Sequence, residues 1–316
     1  MGRNDVALYC GDTLGRYGFP AGHPLGADRQ DAFFRETRAR GLDSRIVLRS
    51  PGSEASPAAL ARFHTQEYID FVATAERKGL EFLDRGDTPV FPDVYHVAAT
   101  VVGSALDALN RIMDGELKRT FQPVGGLHHA SRSRAAGFCV FNDIGVVIES
   151  LRMQYGLRRI AYVDIDVHHG DGVLYAFEDD PDVVIADIHE DGEHLFPGTG
   201  RRDETGKGPA TGTKLNIPLA PGSGDADFLL VWPEVEAHLE RFRPEFVLFQ
   251  CGADGLAGDP LAHLRYSPQV HRQAARSLVR IADRHCQGRL MVFGGGGYNR
   301  TNLASAWNNV LEELSP

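Results

Sequence analysis

The chain has 316 residues, and its 33 Lys and Arg against 43 Asp and Glu leave a formal charge of −10. An acidic chain with no run of Lys or Arg repels phosphates, which excludes a general nucleic-acid binder and makes an anionic membrane surface an equally poor partner. At 42% hydrophobic and 24% charged residues the composition is that of a globular protein, and a chain of this length removes about 75% of its unfolded surface from water on folding.

No apolar stretch reaches the roughly 18 residues that span a bilayer, and Met1-Gly2-Arg3-Asn4-Asp5 leads into only a short apolar run, so a cytoplasmic address is expected. Cys10, Cys139, Cys251 and Cys286 lie far apart with no Cys-x-x-Cys pair. Reduced, mostly buried thiols are expected, not a thiolate metal site or a disulfide framework.

In chain order the pattern predicts a strand at 6–10, a helix at 28–40, a strand at 45–48, then helices at 57–64, 93–113 and 142–155. Strands follow at 159–164, 183–188 and 214–219, a helix at 225–242, a strand at 246–251, a helix at 267–285, a strand at 290–293 and a helix at 302–314. Strands apolar on both faces, such as Ile160, Tyr162 and Val163, alternating with helices predict an α/β fold with a parallel sheet covered on both sides. In such sheets, sites form where loops leave the carboxyl ends of strands. The glycine-rich stretch 198–212 reads as a long surface loop.

Chemistry concentrates first in Asp164-Ile165-Asp166-Val167-His168-His169-Gly170-Asp171-Gly172, directly after a strand. With a period of two, Asp164, Asp166 and His168 project on one side while Ile165 and Val167 pack. Turn chemistry explains Gly170 and Gly172 but not alternating acids at the end of an apolar strand, so a metal site is expected. A second strand runs into Gly252-Ala253-Asp254-Gly255, placing a lone carboxylate at an equivalent edge. Asp166, His168 and Asp254 would leave positions open for water and substrate, as catalytic zinc sites do. Oxygen-rich ligation also suits divalent iron or cobalt, so the identity of the metal stays open.

Gly125-Gly126-Leu127-His128-His129-Ala130 precedes a predicted helix. If Asp166 binds the ion, Asp164 and Asp171 are free to accept protons from the two imidazoles and to set two different pKa values. Finally, Gly294-Gly295-Gly296-Gly297-Tyr298-Asn299 follows a strand. It contains no G-x-G-x-x-G, and Gly206-Lys207 has Arg201 where a P-loop begins with glycine, so neither nucleotide loop is present. These glycines, Gly296 among them, instead let the backbone pass close to a ligand and bring Tyr298 to an oxyanion.

These motifs, with Gly137-Phe138-Cys139, Phe196-Pro197-Gly198-Thr199-Gly200 and Cys251-Gly252-Ala253-Asp254, occur in order between residues 125 and 298. Together they resemble the zinc-dependent histone deacetylase family, including bacterial acetoin-utilisation-type and histone-deacetylase-like proteins. The resemblance implies the arginase/deacetylase fold, a three-layer αβα arrangement with a mainly parallel central sheet, and one catalytic domain over 1–316. It implies zinc on Asp166, His168 and Asp254, His129 as main general base and acid, His128 as its electrostatic partner, and Tyr298 on the carbonyl oxygen. Gly137, Phe138, Phe196 and Leu261 would line a channel for an alkyl chain, with Asp87 at the rim.

A potassium ion near Asp164, Asp166, His168, Asp187 and Ile188 is implied as well. Its coordination is open, because Asp187 stands where the family often has a hydroxyl. Arg29, with His23-Pro24, matches either a family segment near the channel base or a helix surface charge. The expected reaction is hydrolysis of an acetyl or other short acyl amide on lysine by a water activated on the zinc. An acetylpolyamine or other small acetylated amine is the alternative substrate. The apolar Leu261, in place of an acidic gatekeeper, favours acyl-lysine. A two-metal ureohydrolase would need further metal-ligand acids around both strand ends, whereas Asp164 and Asp171 are assigned to the histidines and Asp254 has only Asp259 within reach in sequence. An inactive acyl-lysine-binding regulatory protein would not need the full set of ligands, histidines and Tyr298.

Overall fold

The computed structural model describes residues 5–20 and 22–315; Met1 to Asn4, ahead of the first predicted strand, lie outside the described residues. The elements run β1 (Val6–Tyr9), α1 (Asp12–Gly15), α2 (Arg29–Ala39), β2 (Val47–Arg49), α3 (Pro57–Leu60), α4 (Gln66–Ala75), α5 (Val94–Met113), β3 (Arg119–Gln122) and α6 (Asp143–Tyr155). They continue with β4 (Ile160–Asp164), α7 (Asp171–Ala176), β5 (Val183–Glu190), β6 (Lys214–Leu219), α8 (Asp225–Phe242), β7 (Phe246–Gln250), α9 (Pro268–His285), β8 (Leu290–Phe293) and α10 (Arg300–Leu314).

The strands form one eight-stranded sheet in the order β2-β1-β3-β8-β7-β4-β5-β6, every neighbouring pair parallel. Strand periodicity divides the core: Ile160 and Tyr162 face one hydrophobic cluster, built with α4, α5 and α6, while Ala161 and Val163 face the other, built with α2, α8, α9 and α10. Burial on both faces explains why these strands read as continuous apolar runs. Among the described residues no helix is long and apolar enough to cross a membrane, and Cys139, Cys251 and Cys286 are buried free thiols, with Cys10 half-buried.

Several elements differ from expectation. The helix expected at 57–64 stops at Leu60; Thr65 then accepts the Tyr68 N–H and starts α4, which was not anticipated. The last helix starts at Arg300, not 302, because Asn299 accepts the Thr301 and Asn302 N–H groups as its cap. The short α7 was also unanticipated, and so was β3. This strand is disguised by Arg119 and Gln122, which are both buried. Arg119 reaches Asp283 and the Leu314 carbonyl, and Gln122 the Val101 and Val124 carbonyls. Its place decides the site, because the consecutive sheet neighbours β3, β8, β7 and β4 each release a motif-bearing loop from their carboxyl ends.

Candidate active site

β4 ends at Asp164 and the chain turns at once. Asp164 Oδ1 accepts the Asp166 N–H at 3.0 Å, and Asp166 Oδ1 accepts the His168 N–H at 3.1 Å. The Val167 N–H donates to Asp254 Oδ1 at 3.0 Å, tying the β4 loop to the β7 loop. Asp166, His168 and Asp254 thereby converge, their ligand atoms within 4.8 Å of one another. His168 Nδ1 lies 3.1 Å from Asp166 Oδ1 and 3.2 Å from Asp254 Oδ2.

Burial alone would lower the His168 pKa, but hydrogen bonds to Asp166 and Asp254 hold it at about 10. Burial, then the Asp166 charge, pushes Asp254 up to about 7. Two buried carboxylates and an imidazole nitrogen that together favour a cation match the donors that a divalent metal with open positions takes, so these residues fit the expected ion. Asp166 Oδ2 is further held by Gln250 Nε2 and the Gly296 N–H, both at 2.8 Å. A Cβ on Gly296 would come within 2.0 Å of Asp254 Oδ2, so only glycine passes there.

The loop after β3 is drawn in by Asp143, whose carboxylate accepts the Gly126 and Leu127 N–H groups at 2.9 and 2.8 Å from the first turn of α6. That arrangement presents both histidines. His128 Nδ1 donates to Asp164 Oδ2 and His129 Nδ1 to Asp171 Oδ1, each at 2.7 Å, and their Nε2 atoms face each other at 3.1 Å. With both Nδ1 protons committed to carboxylates, the pair of Nε2 atoms has room for one shared proton. Burial, then the neighbouring His128, pulls the His129 pKa down to about 4, so its Nε2 stands ready as an acceptor.

A cavity of about 240 Å³ leads to these groups, and Asp87, Gly137, Phe138, Phe196, Leu261 and Tyr298 all lie on its wall. Leu195, which no sequence signal marked, is there too. Gly137 has φ 51°, and a Cβ there would meet the His129 ring at 2.4 Å. The Phe138 N–H donates to Thr88 Oγ1 at 3.2 Å, which docks the Asp87 loop on the channel. The Tyr298 ring stands edge-on to Phe138 at 5.9 Å, and burial holds its phenol well above the usual range.

Arg29 is not a surface charge. It is 6% exposed, lines the base of the cleft beside Tyr17 and Leu25, and donates to the Gly295 and Gly297 carbonyls. At the expected potassium position, Ile188 is buried. Asp187 Oδ1 accepts from His189 Nδ1 at 2.6 Å and Asp187 Oδ2 from the Gly170 N–H at 2.9 Å. Both side-chain oxygens of Asp187 therefore already accept a hydrogen bond.

Residues 23–314 match the histone deacetylase domain model. The acetoin utilization protein AcuC of Bacillus subtilis is 37% identical over 269 residues, 82% of this chain and 69% of that protein. Histone deacetylase RPD3 of Saccharomyces cerevisiae is 34% identical over 323 residues, 97% of this chain and 72% of that one. The crystal structure of the HDA15 HD domain superposes with a TM-score of 0.88 at 26% identity, covering 99% of this chain and 88% of that one. The fold is thus the arginase/deacetylase fold anticipated from the motifs.

Proposed function

The chain belongs to the histone deacetylase family, and we propose that it is one catalytic domain that removes acetyl or other short acyl groups from lysine side chains by metal-dependent amide hydrolysis. The observation that carries this reading is the meeting, at the floor of one channel, of the Asp166-His168-Asp254 donor set with two histidine-carboxylate pairs. A zinc ion held by those three residues would act as the Lewis acid that polarises the acyl carbonyl and acidifies water.

The chain's own groups do the rest. His129 Nε2 takes the proton of the attacking water and returns it to the departing amine. Asp171 holds the Nδ1 proton, and so fixes which nitrogen is basic. His128, paired with Asp164, sets the charge beside it. The Tyr298 hydroxyl donates to the acyl oxygen as charge builds there. The channel holds the lysine methylenes and excludes water. Asp164 and Asp171 are committed to histidines, which speaks against a second metal and a ureohydrolase.

Leu261 at the mouth is apolar and half-buried, a setting that suits methylenes better than a second ammonium. The test is a panel of acyl-lysine peptides against N-acetylputrescine and acetylspermidine, with metal content measured alongside. Turnover of the peptides is expected; a preference for the acetylated amines would move the substrate to that class, and inactivity on all with metal bound would favour an acyl-lysine-binding protein.

A further inference from the structure

The peptide group joining Gly297 to Tyr298 is gripped from both ends by buried charges. Its carbonyl accepts from Arg29 Nε at 2.9 Å, and its N–H donates to Asp259 Oδ2 at 2.8 Å. Arg29 and Asp259 are 6% and 8% exposed. A cation at the oxygen end and an anion at the N–H end both act along the peptide's own dipole, and charge-assisted bonds of this kind are about twice as strong as neutral ones.

The grip matters because the backbone here has little stiffness of its own: Gly295 and Gly297 have φ of 70° and 118°. Asp259 Oδ2 also accepts the Asn299 N–H at 3.3 Å, and its other oxygen, Oδ1, accepts the Leu261 N–H at 3.1 Å. One carboxylate therefore joins the residue at the channel mouth to the residue expected on the acyl oxygen. Nearby, Asn302 Nδ2 donates to the Ala257 carbonyl and Asn299 Nδ2 to the Gly258 carbonyl, so the two loops meet along a continuous seam.

We propose that Asp259 is a positioning residue for the deacetylase reaction: through the 297–298 peptide it sets the Tyr298 hydroxyl over the acyl oxygen, and through Leu261 it ties that placement to the channel mouth. The proposal rests on the hydrolase reading above. It assigns to Asp259 an effect exerted through Tyr298, which a loop staple of purely structural value would not have.

The experiment is a double-mutant cycle on the zinc-loaded protein with a fluorogenic acetyl-lysine peptide, measuring kcat, KM, zinc per chain and Tm. Asp259→Asn keeps the volume but offers an amide donor at one of two positions that need an acceptor. It is expected to lower kcat about 10- to 100-fold, with KM changed less and zinc retained. In the Tyr298→Phe background, which lacks the hydroxyl to be positioned, the same substitution is expected to cost less than about 3-fold. Asp259→Glu, which keeps the charge but shifts it by a methylene, follows the same cycle should Asp259→Asn lose its zinc or fold. Equal losses with and without the Tyr298 hydroxyl would overturn the proposal while leaving the deacetylase reading intact. A zinc-loaded wild type that turns over no acyl substrate would overturn both.

Discussion

His129 Nδ1 lies 2.7 Å from Asp171 Oδ1, while its Nε2 faces His128 Nε2 at 3.1 Å. The carboxylate thus favours the proton on Nδ1 and leaves the Nε2 lone pair free for the base role proposed for it. Asp171→Asn, whose amide can present a donor where Nδ1 already donates, is expected to lower kcat by about 10- to 100-fold with metal retained. His129→Ala is expected to lose more activity than His128→Ala at neutral pH. Steady-state kinetics with parallel metal analysis checks both, and equal losses in the two alanine variants would contradict the division of roles.

Tyr298 gives a second expectation. Removing one donor to a developing oxyanion typically costs about 3 kcal/mol of barrier, roughly 100-fold in rate. Tyr298→Phe should keep its fold and metal and lose about that factor in kcat, with KM changed less. A kcat within a few fold of wild type would make Tyr298 only a wall of the channel.

Substrate choice is expected to turn on Leu261. The wild type should show a higher kcat/KM for acyl-lysine peptides than for N-acetylputrescine or acetylspermidine, and Leu261→Glu should raise turnover of the polyamines by giving their second ammonium a partner. If the wild type already prefers acetylpolyamines, the exposed Asp87 on the same channel becomes the first candidate for selecting them.

Acid stability follows from His64, whose Nε2 accepts the Asn142 N–H at 2.9 Å beneath the cap of α6. Burial pulls its pKa from 6.5 down to about 4. Between those values the unfolded chain binds a proton that folded His64 refuses, so stability is present at neutral pH and lost as pH falls through that window. The loss is about 2 kcal/mol by pH 5. Melting temperatures at pH 7 and pH 5 should show the fall, and His64→Gln, which retains an acceptor for Asn142, should show a shallower one. Identical slopes would contradict this origin.

What the sequence discloses here follows from how each residue acts. β4, β7 and β8 are legible because they are apolar on both faces and end abruptly in acids or glycines, and the metal-ligand candidates and the histidine pair sit within a few residues of such ends. β3 was not legible, since Arg119 and Gln122 bury their polar ends against partners far away in the chain. The supporting residues escaped for a related reason. Asp143 and Asp259 work by side-chain bonds to backbone N–H groups of other loops, which leave no periodic pattern, whereas Arg29 was marked by its segment but left between the channel base and a helix surface. Gln250 carried a signal too, a polar residue closing the apolar strand Phe246–Gln250.

The most direct measurement of the central claim is metal content and peptide deacetylation in Asp254→Asn beside the wild type, each purified without metal and then given one equivalent of zinc. Asp254 is fully buried and supplies one of the two carboxylates of the donor set. The wild type is expected to bind about one zinc per chain and to deacetylate the peptide, whereas the variant, lacking an anionic ligand, should hold far less zinc and show no turnover. Full zinc occupancy together with wild-type activity in Asp254→Asn would contradict the metal-centred account.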